Sequence, residues 1–321
     1  MVSRFDGRRT ILVTGATGQV GGELLRTLLN VGEVVAPGRG EMDLADAPSI
    51  QAFIRRIRPQ WIVNAGAYTA VDKAESESGL VYAINAEAVR VIGMEAQELG
   101  VPVLHFSTDY VFDGNSLEPY TEADATGPLG VYGASKLAGE RALLEAHSAS
   151  LIFRTSWVYG ATGKNFLRTI LKAARERDNL RIVADQHGAP TWSRDLAHMA
   201  AHVIAHCKAS AAETSTTVFQ AASRFAGIYH ASGGGETTWA AFAAEAIRLD
   251  AQLKPEAKLA TVTSITTAEY PTPALRPRNS LLNNQKLHEA FGWRMTHWQQ
   301  SLAEVMKELR EAQVATPILN F

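Results

Sequence analysis

The sequence predicts an α/β fold with a doubly wound parallel sheet and a smaller C-terminal lobe. Three observations support this prediction. Short β-branched runs alternate with helical segments through the first half of the 321 residues, which is typical of parallel sheets covered by helices. A glycine-rich turn separates the first strand from the first helix. The second half is less regular and contains the Pro- and Arg-rich segment "EYPTPALRPRNSLLN".

Five segments of the first half are predicted strands because they are short, apolar and rich in β-branched or aromatic residues. They are "TILVTG", "EVVAPG", "WIVNAGAY", "VPVLHFSTDYVF" and "SLIFRTSWVYG". Asp46 is a predicted cap of the second helix, and Gly100 is predicted to end the third. The four predicted helices are "QVGGELLRTLLN", "APSIQAFIRRIR", "LVYAINAEAVRVIGMEAQELG" and "YGASKLAGERALLEAH".

The second half is predicted to hold more helix than strand. Residues 209–226, "ASAAETSTTVFQAASRFA", are mostly small or polar, and this composition predicts a surface loop. A strand and loop are expected at "LRIVADQHGAPTW" and a strand at "GIYHASGG". Helices are expected at "NFLRTILKAARER", "RDLAHMAAHVIAHC", "TTWAAFAAEAIRLD" and "WQQSLAEVMKELREAQ".

The composition excludes several classes of protein. The 31 basic and 33 acidic residues give a formal net charge of −2, so no basic excess indicates nucleic-acid binding. Cys207 is the single cysteine, which excludes an intrachain disulfide and fits a reducing compartment. The N-terminal segment lacks the apolar run of a signal peptide, and no apolar run reaches about 18 residues. We therefore expect a soluble cytoplasmic protein with no membrane partner.

The turn "TGATGQVGGE" places Gly15, Gly18 and Gly21 between the first strand and the first helix. Glycines at this spacing allow a tight turn, close approach of the backbone to a pyrophosphate, and tight packing of helix on strand. The free N–H groups at the helix N-terminus then face the anion. This context predicts a Rossmann-type dinucleotide-binding domain; the structural alternative is that the glycines only end the strand.

The end of the second strand indicates which dinucleotide binds. An acidic residue there would accept hydrogen bonds from the ribose of NAD, but Pro37 and Gly38 occupy the expected positions and Arg39 follows. A guanidinium can pair with the 2′-phosphate of NADP. The sequence therefore favours NADPH. NADH is the alternative if Arg39 is only a solvated loop residue and Glu41 turns inward.

The segment "VYGASKLAGE" places Tyr132 and Lys136 four residues apart, on one face of a predicted helix. Beside a nicotinamide, such a pair suits carbonyl reduction, because hydride attacks the carbon and the phenol protonates the oxygen. The ordinary pKa of tyrosine is about 10, and a nearby ammonium would lower this pKa by favouring the phenolate. The pair also occurs by chance at exposed helix starts, so the hypothesis depends on the glycine turn and on a hydroxyl partner.

Ser107 and Thr108 end the fourth strand, where open parallel sheets place their ligands. A hydroxyl there could hydrogen-bond the substrate oxygen and share a proton network with Tyr132. Ser-Thr-Asp is also a good turn and cap sequence, which is the structural alternative. From the residues alone, the interpretation is a nicotinamide-dependent carbonyl reductase, or an epimerase or dehydratase of the same fold.

These features resemble the extended short-chain dehydrogenases/reductases. Within that superfamily the chain is similar, along nearly its whole length, to the dTDP-4-dehydrorhamnose reductase family. The resemblance implies NADPH-dependent reduction of the C4 keto group of dTDP-4-dehydro-L-rhamnose to dTDP-L-rhamnose, the last step of that synthesis in bacteria. It rests on "TGATGQVG", "NAGAYTAVDKAE", "STDYVFDG", "VYGASKLAGE", "FRTSWVYG", "DQHGAPTW" and "YPTPALRPRNSLLN".

The resemblance also implies roles for individual residues. Tyr132 is the expected proton donor, Lys136 its modulator and a ligand of the nicotinamide ribose, and Thr108 the hydroxyl partner. Besides Gly15 and Arg39, the expected cofactor contacts are Gly18, Gln19 and Val20 at the pyrophosphate, Asp43 and Leu44 at the adenosine, and Ala67, Tyr68 and Thr69 at the middle. The expected contacts of the nucleotide-sugar substrate are Thr108, Asp109 and Trp157, with Arg276 and Arg278 at its diphosphate on charge grounds.

The order of elements and motifs also divides the chain. Residues 1–160, with returning segments at about 195–248, are the predicted dinucleotide-binding domain. Residues 161–194 and 249–321 are the predicted substrate-binding lobe. No sequence feature decides between a monomer and a homodimer.

One departure from the family concerns magnesium. Some members bridge a dimer through magnesium held by glutamates, and Glu23 and Glu308 match two of the ligand positions. The third position falls on Arg194, a cation where a hard metal ion needs an oxygen ligand. We therefore expect no stable magnesium site, and we expect the guanidinium to pair with the two glutamates.

Two alternative hypotheses come from other classes of protein. His198, His202 and His206 recur every four residues on one predicted helix, a spacing that can bind zinc, but no glutamate lies between them as in the metalloprotease motif. The chain could also be a non-catalytic dinucleotide-binding regulatory subunit, resembling the beta subunit of methionine adenosyltransferase. The intact set of proton donor, lysine and hydroxyl favours an enzyme.

Overall fold

A six-stranded parallel sheet forms the centre of the protein in a computed structural model, which describes residues 10–253 and 259–314. The strands of the described residues are β1 Thr10–Thr14, β2 Glu33–Val35, β3 Trp61–Asn64, β4 Val103–Thr108, β5 Ser150–Thr155, β6 Val158–Tyr159, β7 Asn179–Val183, β8 His187–Gly188, β9 Thr191–Trp192, β10 Gly227–His230, β11 Thr237–Thr238 and β12 Thr261–Ile265. The central sheet has the order β10-β5-β4-β3-β1-β2. The predicted α/β class is confirmed.

Helices cover both faces of the sheet. The α-helices of the described residues, including those that lie beside the sheet, are α1 Gln19–Thr27, α2 Ala47–Ile57, α3 Val71–Ala74, α4 Ser78–Tyr82, α5 Ala88–Leu99, α6 Val131–Ala146, α7 Phe166–Glu176, α8 Ser193–Glu213, α9 Val218–Ser223, α10 Trp239–Leu253, α11 Gln285–Phe291 and α12 Trp298–Val314. Among the helices of the described residues, none has both the length and the apolarity needed to cross a membrane.

Two apolar cores flank the sheet because successive side chains of a strand point to opposite faces. Ile11 and Val13 of β1 join the core that includes side chains of α1, α8 and α11. Leu12, between them, joins the second core, built with side chains of α2 and α5. Ile11, Leu12 and Val13 are all fully buried. The sequence of β1 is therefore a continuous apolar run, as expected for a strand in a sheet covered on both sides.

A second group of elements packs beside the sheet. Phe242 of α10 and Trp298 of α12 lie with Tyr159 in one small apolar cluster. Ile170 of α7 and Leu180 of β7 belong to another. The strands β7 and β12 pair with each other outside the central sheet. Together with the two clusters they form a smaller body beside the sheet.

Two features of the first half differ from the predicted elements. The predicted third helix is broken by one turn of π-helix, Ala83–Glu87, between α4 and α5, although Gly100 ends α5 in the left-handed conformation as predicted. Asp46 stands at the cap position of α2, but its side chain makes no capping hydrogen bond. Pro48 in the first turn supplies a helix start without that bond.

The prediction of a loop at residues 209–226 is wrong. The helix α8 continues to Glu213, and α9 follows at Val218–Ser223. Alanine has the highest helix propensity, and Thr217 with Gln220 forms a reciprocal capping box at the start of α9. Phe219 packs edge-on against His147, with ring centroids 5.6 Å apart. The sequence analysis also missed β12 and α11.

Candidate active site

A cleft of about 550 Å³ lies at the carboxyl ends of β1, β3, β4 and β5. The strand order reverses at the boundary between β1 and β3, because β2 lies on the outer side of β1 whereas β4, β5 and β10 follow on the outer side of β3. Open parallel sheets bind ligands outside the strand ends at such a point. The cleft brings together many of the residues that the sequence singled out. Its walls include Gly15, Gly18, Gln19, Val20, Ala67, Thr69, Thr108, Asp109, Tyr132, Lys136 and Trp157.

The glycine turn has no room for side chains. Gly15 has a φ of +68°, and a Cβ atom there would lie 2.6 Å from the backbone of Gly66. A Cβ atom on Gly21 would lie 2.0 Å from the carbonyl oxygen of Gly15. Gly18 donates its N–H to the same oxygen at 2.9 Å. The backbone of β1 and the start of α1 are therefore close together, which leaves the cradle that a dinucleotide pyrophosphate needs.

A second pocket of about 190 Å³ adjoins the glycine turn at the end of β2 and is lined by Arg39, Asp43 and Leu44. The Arg39 side chain is 77% exposed, and its Nε atom lies 3.8 Å from Oδ1 of Asp43. The Glu41 carboxylate instead accepts a hydrogen bond from the Gly38 N–H at 3.1 Å. A cationic side chain therefore borders this pocket, while Glu41 is engaged in its own turn.

The loop after β3 is tied to the helix that carries Tyr132. Asn85, in the π-helical turn, accepts from the Tyr68 N–H at 2.8 Å and donates to the Tyr68 carbonyl at 3.0 Å and to Ser135 at 3.1 Å. The Tyr68 hydroxyl donates to Glu77, and the Tyr68 side chain does not line the cleft, unlike Ala67 and Thr69. Asn85 was not predicted from the sequence, in which the π-helical turn that carries it reads as part of one continuous helix.

Tyr132 and Thr108 meet at the centre of the cleft. Burial raises the pKa of Tyr132 to about 12, against the opposing effect of a hydrogen bond with the Thr108 side chain. Thr108 in turn donates to Oδ1 of Asp109 at 3.1 Å. The net pKa shift in the protein chain alone is therefore upward and not downward as expected, because burial outweighs any lowering by the ammonium. At neutral pH the phenol is therefore fully protonated, as a proton donor must be.

The Lys136 side chain is 2% exposed and borders the same cleft. Its Nζ atom donates to the Phe106 carbonyl at 2.7 Å and lies 3.3 Å from Nε2 of His105. Burial lowers the pKa of Lys136 to about 8, and the Glu140 carboxylate opposes this shift. The lysine therefore sits beside Tyr132 on α6, as the spacing predicts, but its ammonium is directed at β4.

Asp109 and Trp157, two residues predicted to contact the substrate, both line the cleft. Burial raises the pKa of Asp109 to about 6, while the nearby Ser280 and Thr108 hydroxyls oppose the shift. Trp157 has a φ of +47°, which is uncommon for a bulky residue and is often found at functional sites. Its ring stacks on that of Trp239, with centroids 3.6 Å apart.

A further cleft of about 510 Å³, bordered by Tyr110, Trp239 and Arg276, lies beside the first, and Tyr110 lines both. The Arg276 guanidinium pairs with Asp72 at 2.9 Å. Arg278 is exposed and lines neither cleft. Of the two arginines predicted to bind the diphosphate, Arg276 borders this further cleft and Arg278 does not.

Several buried polar atoms at the first cleft have no hydrogen-bond partner within the described chain. They are Oγ of Ser107, Oγ1 of Thr155 and Oδ2 of Asp109. Buried polar groups of native proteins are nearly always hydrogen-bonded. Together with the glycine cradle, these atoms fit a polar ligand in the cleft, so the residues present suit a nicotinamide dinucleotide and a sugar.

Arg194 forms hydrogen bonds with Glu23 and Glu308, the two glutamates that match magnesium-ligand positions of the family. Its guanidinium donates to Glu23 at 2.9 and 3.3 Å and to Glu308 at 2.5 Å. The predicted pairing is therefore confirmed. No cluster of three or more His, Cys, Asp or Glu side chains suited to a metal occurs in residues 10–253 and 259–314.

We expect activity and elution volume of the wild-type protein to be unchanged by EDTA, because the Arg194 guanidinium already neutralises the glutamates. The matched variant is Arg194→Glu, which places a third carboxylate beside Glu23 and Glu308. Its thermal midpoint should rise with magnesium, since oxygen ligands bind this ion. The measurements are turnover, size-exclusion chromatography and thermal melts. Loss of wild-type activity on chelation, reversed by magnesium, would contradict the assignment.

The histidine stripe of α8 packs against the protein. His202 donates from Nε2 to the Phe291 carbonyl at 2.7 Å. His206 lies edge-on to Phe225 and Phe291, with centroids 5.1 and 5.5 Å away. These contacts explain the spacing as helix packing.

The doubly wound sheet, the glycine cradle and the Tyr132–Lys136 pair define an NAD(P)H-dependent oxidoreductase of the extended short-chain dehydrogenase/reductase type. Comparison with known proteins narrows this class. Residues 9–311 match the family model described as RmlD substrate binding domain. The chain is 43% identical over 301 residues to dTDP-4-dehydrorhamnose reductase of Burkholderia thailandensis, covering 93% of this chain and 98% of that one. The Escherichia coli K12 protein of the same name is 42% identical over 303 residues, covering 93% and 97%.

Solved structures agree with these relatives. A dTDP-4-dehydrorhamnose reductase from Clostridium acetobutylicum superimposes with a TM-score of 0.83 at 34% identity, covering 94% of this chain and 99% of that chain. The Bacillus anthracis protein of that name, in complex with NADP, superimposes with a TM-score of 0.81 at 31% identity, covering 94% and 99%. The chain therefore belongs to the dTDP-4-dehydrorhamnose reductase family.

Proposed function

We propose that the protein reduces the C4 keto group of dTDP-4-dehydro-L-rhamnose to the alcohol of dTDP-L-rhamnose, with NADPH as cofactor. The observation that carries this proposal is that Tyr132, Thr108 and Lys136 line the same cleft as the glycine cradle. The names of the relatives and the NADP bound to the Bacillus anthracis protein support the choice of substrate and cofactor.

Each part of the cleft has a task in this reaction. NADPH, when bound, supplies the hydride. The turn at Gly15 and Gly18 would hold its pyrophosphate. Tyr132 holds the proton for the substrate oxygen at a phenol that burial keeps protonated, and Thr108 can hydrogen-bond that same oxygen. Lys136 supplies a positive charge that favours the phenolate left behind.

The experiment follows absorbance of NADPH at increasing concentrations of dTDP-4-dehydro-L-rhamnose. Stoichiometric loss of NADPH with formation of dTDP-L-rhamnose is the expected result. Binding of NADPH without turnover would contradict the proposal and would favour the alternative of a non-catalytic regulatory subunit. Family membership and the intact catalytic set support the enzyme. Size-exclusion chromatography of the same sample decides between monomer and homodimer.

The division of labour in the chain is part of the proposal. We infer that residues 1–160, with about 195–248, bind the dinucleotide, because β10 completes the central sheet and α8 packs on α1. Residues 161–194 and 249–321 would bind the sugar nucleotide; the pairing of β7 with β12, outside the central sheet, supports this inference. A cytoplasmic location is proposed on the basis of the single, buried cysteine, Cys207.

We expect Arg39→Ala to reduce use of NADPH more than use of NADH. A guanidinium at the end of β2 can pair with a 2′-phosphate, which NADH lacks, and a charge-assisted hydrogen bond contributes roughly 1.5–3 kcal/mol. The ratio of kcat/KM values for the two cofactors should therefore shift about tenfold or more. Arg224→Ala, an exposed arginine outside the clefts, is the matched control. Equal losses with both cofactors would show that Arg39 is an ordinary loop residue.

A further inference from the structure

A line of buried polar side chains crosses the sheet beneath the cleft and ends at Lys136. Thr14, Asn64 and His105 are direct cross-strand neighbours on β1, β3 and β4. Their side chains therefore lie side by side on one face of the sheet. The exposed fractions of these three residues are 3%, 2% and 0%.

Each member of the line contacts the next. The Thr14 hydroxyl accepts from the Gly66 N–H at 3.0 Å and contacts Oδ1 of Asn64 at 2.5 Å. The Asn64 amide nitrogen lies 3.0 Å from Nδ1 of His105. Nε2 of His105 lies 3.3 Å from Nζ of Lys136. The line thus connects the loop at Gly66, which borders the cofactor cleft, with the lysine.

Such a line is costly for the fold alone, because buried polar side chains contribute stability only when every partner is satisfied. The neighbouring positions of these strands are apolar, including Val13, Val63 and Leu104. Apolar residues would fill the same positions without that requirement. The feature that needs a polar line is the amino group of Lys136 at its end.

We propose that His105 is a positioning residue, which holds the Lys136 amino group between its own ring and the Phe106 carbonyl and is itself fixed by Thr14 and Asn64. The inference rests on the proposed function, since it concerns the lysine that assists Tyr132. An ammonium has three N–H donors. One goes to Phe106, one to His105, and the third is left for the cleft.

Hydrogen positions along the line must agree with the charge of Lys136. An ammonium donates to Nε2 of His105, so Nδ1 carries the ring proton and Asn64 must present its oxygen to it. A neutral amine can accept from Nε2–H instead, and Asn64 then presents its nitrogen to Nδ1. The two arrangements differ by reversal of one amide and by the tautomer of His105, which are inferred from the hydrogen-bond network.

Other charged groups near Lys136 are accounted for. Glu140, on the same helix, is paired with Arg154 of β5 through two hydrogen bonds of 2.9 and 2.7 Å. Tyr132 and Asp109 lie on the cleft side of the lysine. Burial, with the Lys136 charge second, lowers the pKa of His105 well below its ordinary value. His105 is therefore neutral at neutral pH, and it can act as an acceptor.

The first test compares His105→Leu with His105→Gln, because the amide of Gln can place an oxygen near the position of Nε2. The ammonium loses an acceptor in His105→Leu, so its pKa falls and the alkaline limb of kcat/KM moves down by about one pH unit. At pH 8, near the pKa of Lys136 in the wild type, this variant should lose about fivefold in kcat/KM. His105→Gln should restore most of the kcat/KM at pH 8 and return the alkaline limb close to its wild-type position. His147→Leu is the control: His147 is buried and bonded to Ser150 and the Val101 carbonyl.

An unchanged alkaline limb in His105→Leu, or an equal shift in His147→Leu, would overturn the proposal. The second test needs no turnover. In ¹⁵N-labelled wild type, the ring nitrogen shifts of His105 should indicate Nδ1–H below the pKa of Lys136 and Nε2–H above it, and Lys136→Met should remove this change. A single tautomer throughout would also overturn the proposal. Failure to reduce the sugar nucleotide would contradict the proposed function and leave this second result intact.

Discussion

Tyr132→Phe should lower kcat by about 10²–10⁴-fold, the usual contribution of a general acid. The substitution keeps the ring, its edge-to-face contact with Tyr110 at 5.5 Å, and the packing of α6. Only the hydroxyl group, with its proton, is removed. Affinity for NADPH, measured by fluorescence titration, should stay within about threefold, because no charged contact is lost.

Tyr229→Phe is the matched control for this substitution. Tyr229 lies in the apolar core beside β5, and its hydroxyl donates to the Phe225 carbonyl at 2.7 Å. Its loss should reduce stability by about 0.5–1.5 kcal/mol and leave turnover unchanged. Near-wild-type turnover in Tyr132→Phe would remove this residue from its assigned role. A large loss in both variants would indicate damage to the sheet rather than loss of a proton donor.

The parts of the site that could be predicted from sequence are those encoded locally. The spacing of Gly15, Gly18 and Gly21 and the four-residue separation of Tyr132 and Lys136 need only a strand, a turn and a helix. Helix α9 is also encoded locally, although it was not predicted. Thr217 and Gln220 form a capping pattern at its start that is visible in the sequence. The composition of small residues was misleading there, since alanine also favours helix.

The parts that could not be predicted depend on sheet register and burial. Asn64 and His105 are 41 residues apart, and they meet only because β3 and β4 pair in one register. The raised pKa of Tyr132 is also non-local, because it arises from the protein that closes over the cleft. A sequence shows that a tyrosine and a lysine share a helix face, but it does not show how much water surrounds them.

Arg154→Met should cause the largest loss of stability. The side chains of Arg154 and Glu140 are 3% and 1% exposed and share two hydrogen bonds. Removing the guanidinium leaves a buried carboxylate without its partner, which typically costs about 3–5 kcal/mol. Urea unfolding followed by circular dichroism measures this loss. The double variant Arg154→Met with Glu140→Met should regain most of it, because an apolar pair of similar volume avoids the unpaired charge.

The same variants test the electrostatics around Lys136. The Glu140 carboxylate raises the pKa of Lys136, and Arg154 neutralises that carboxylate. In Arg154→Met the unshielded charge should raise the pKa of Lys136 further, so the alkaline limb of kcat/KM should move to higher pH, opposite to the shift expected in His105→Leu. In the double variant the Glu140 carboxylate is absent, so the pKa of Lys136 should fall. The alkaline limb of kcat/KM should then lie at lower pH than in the wild type. A loss under about 1 kcal/mol in Arg154→Met, or a double variant as unstable as the single one, would show that the buried pair is not what holds α6 against β5.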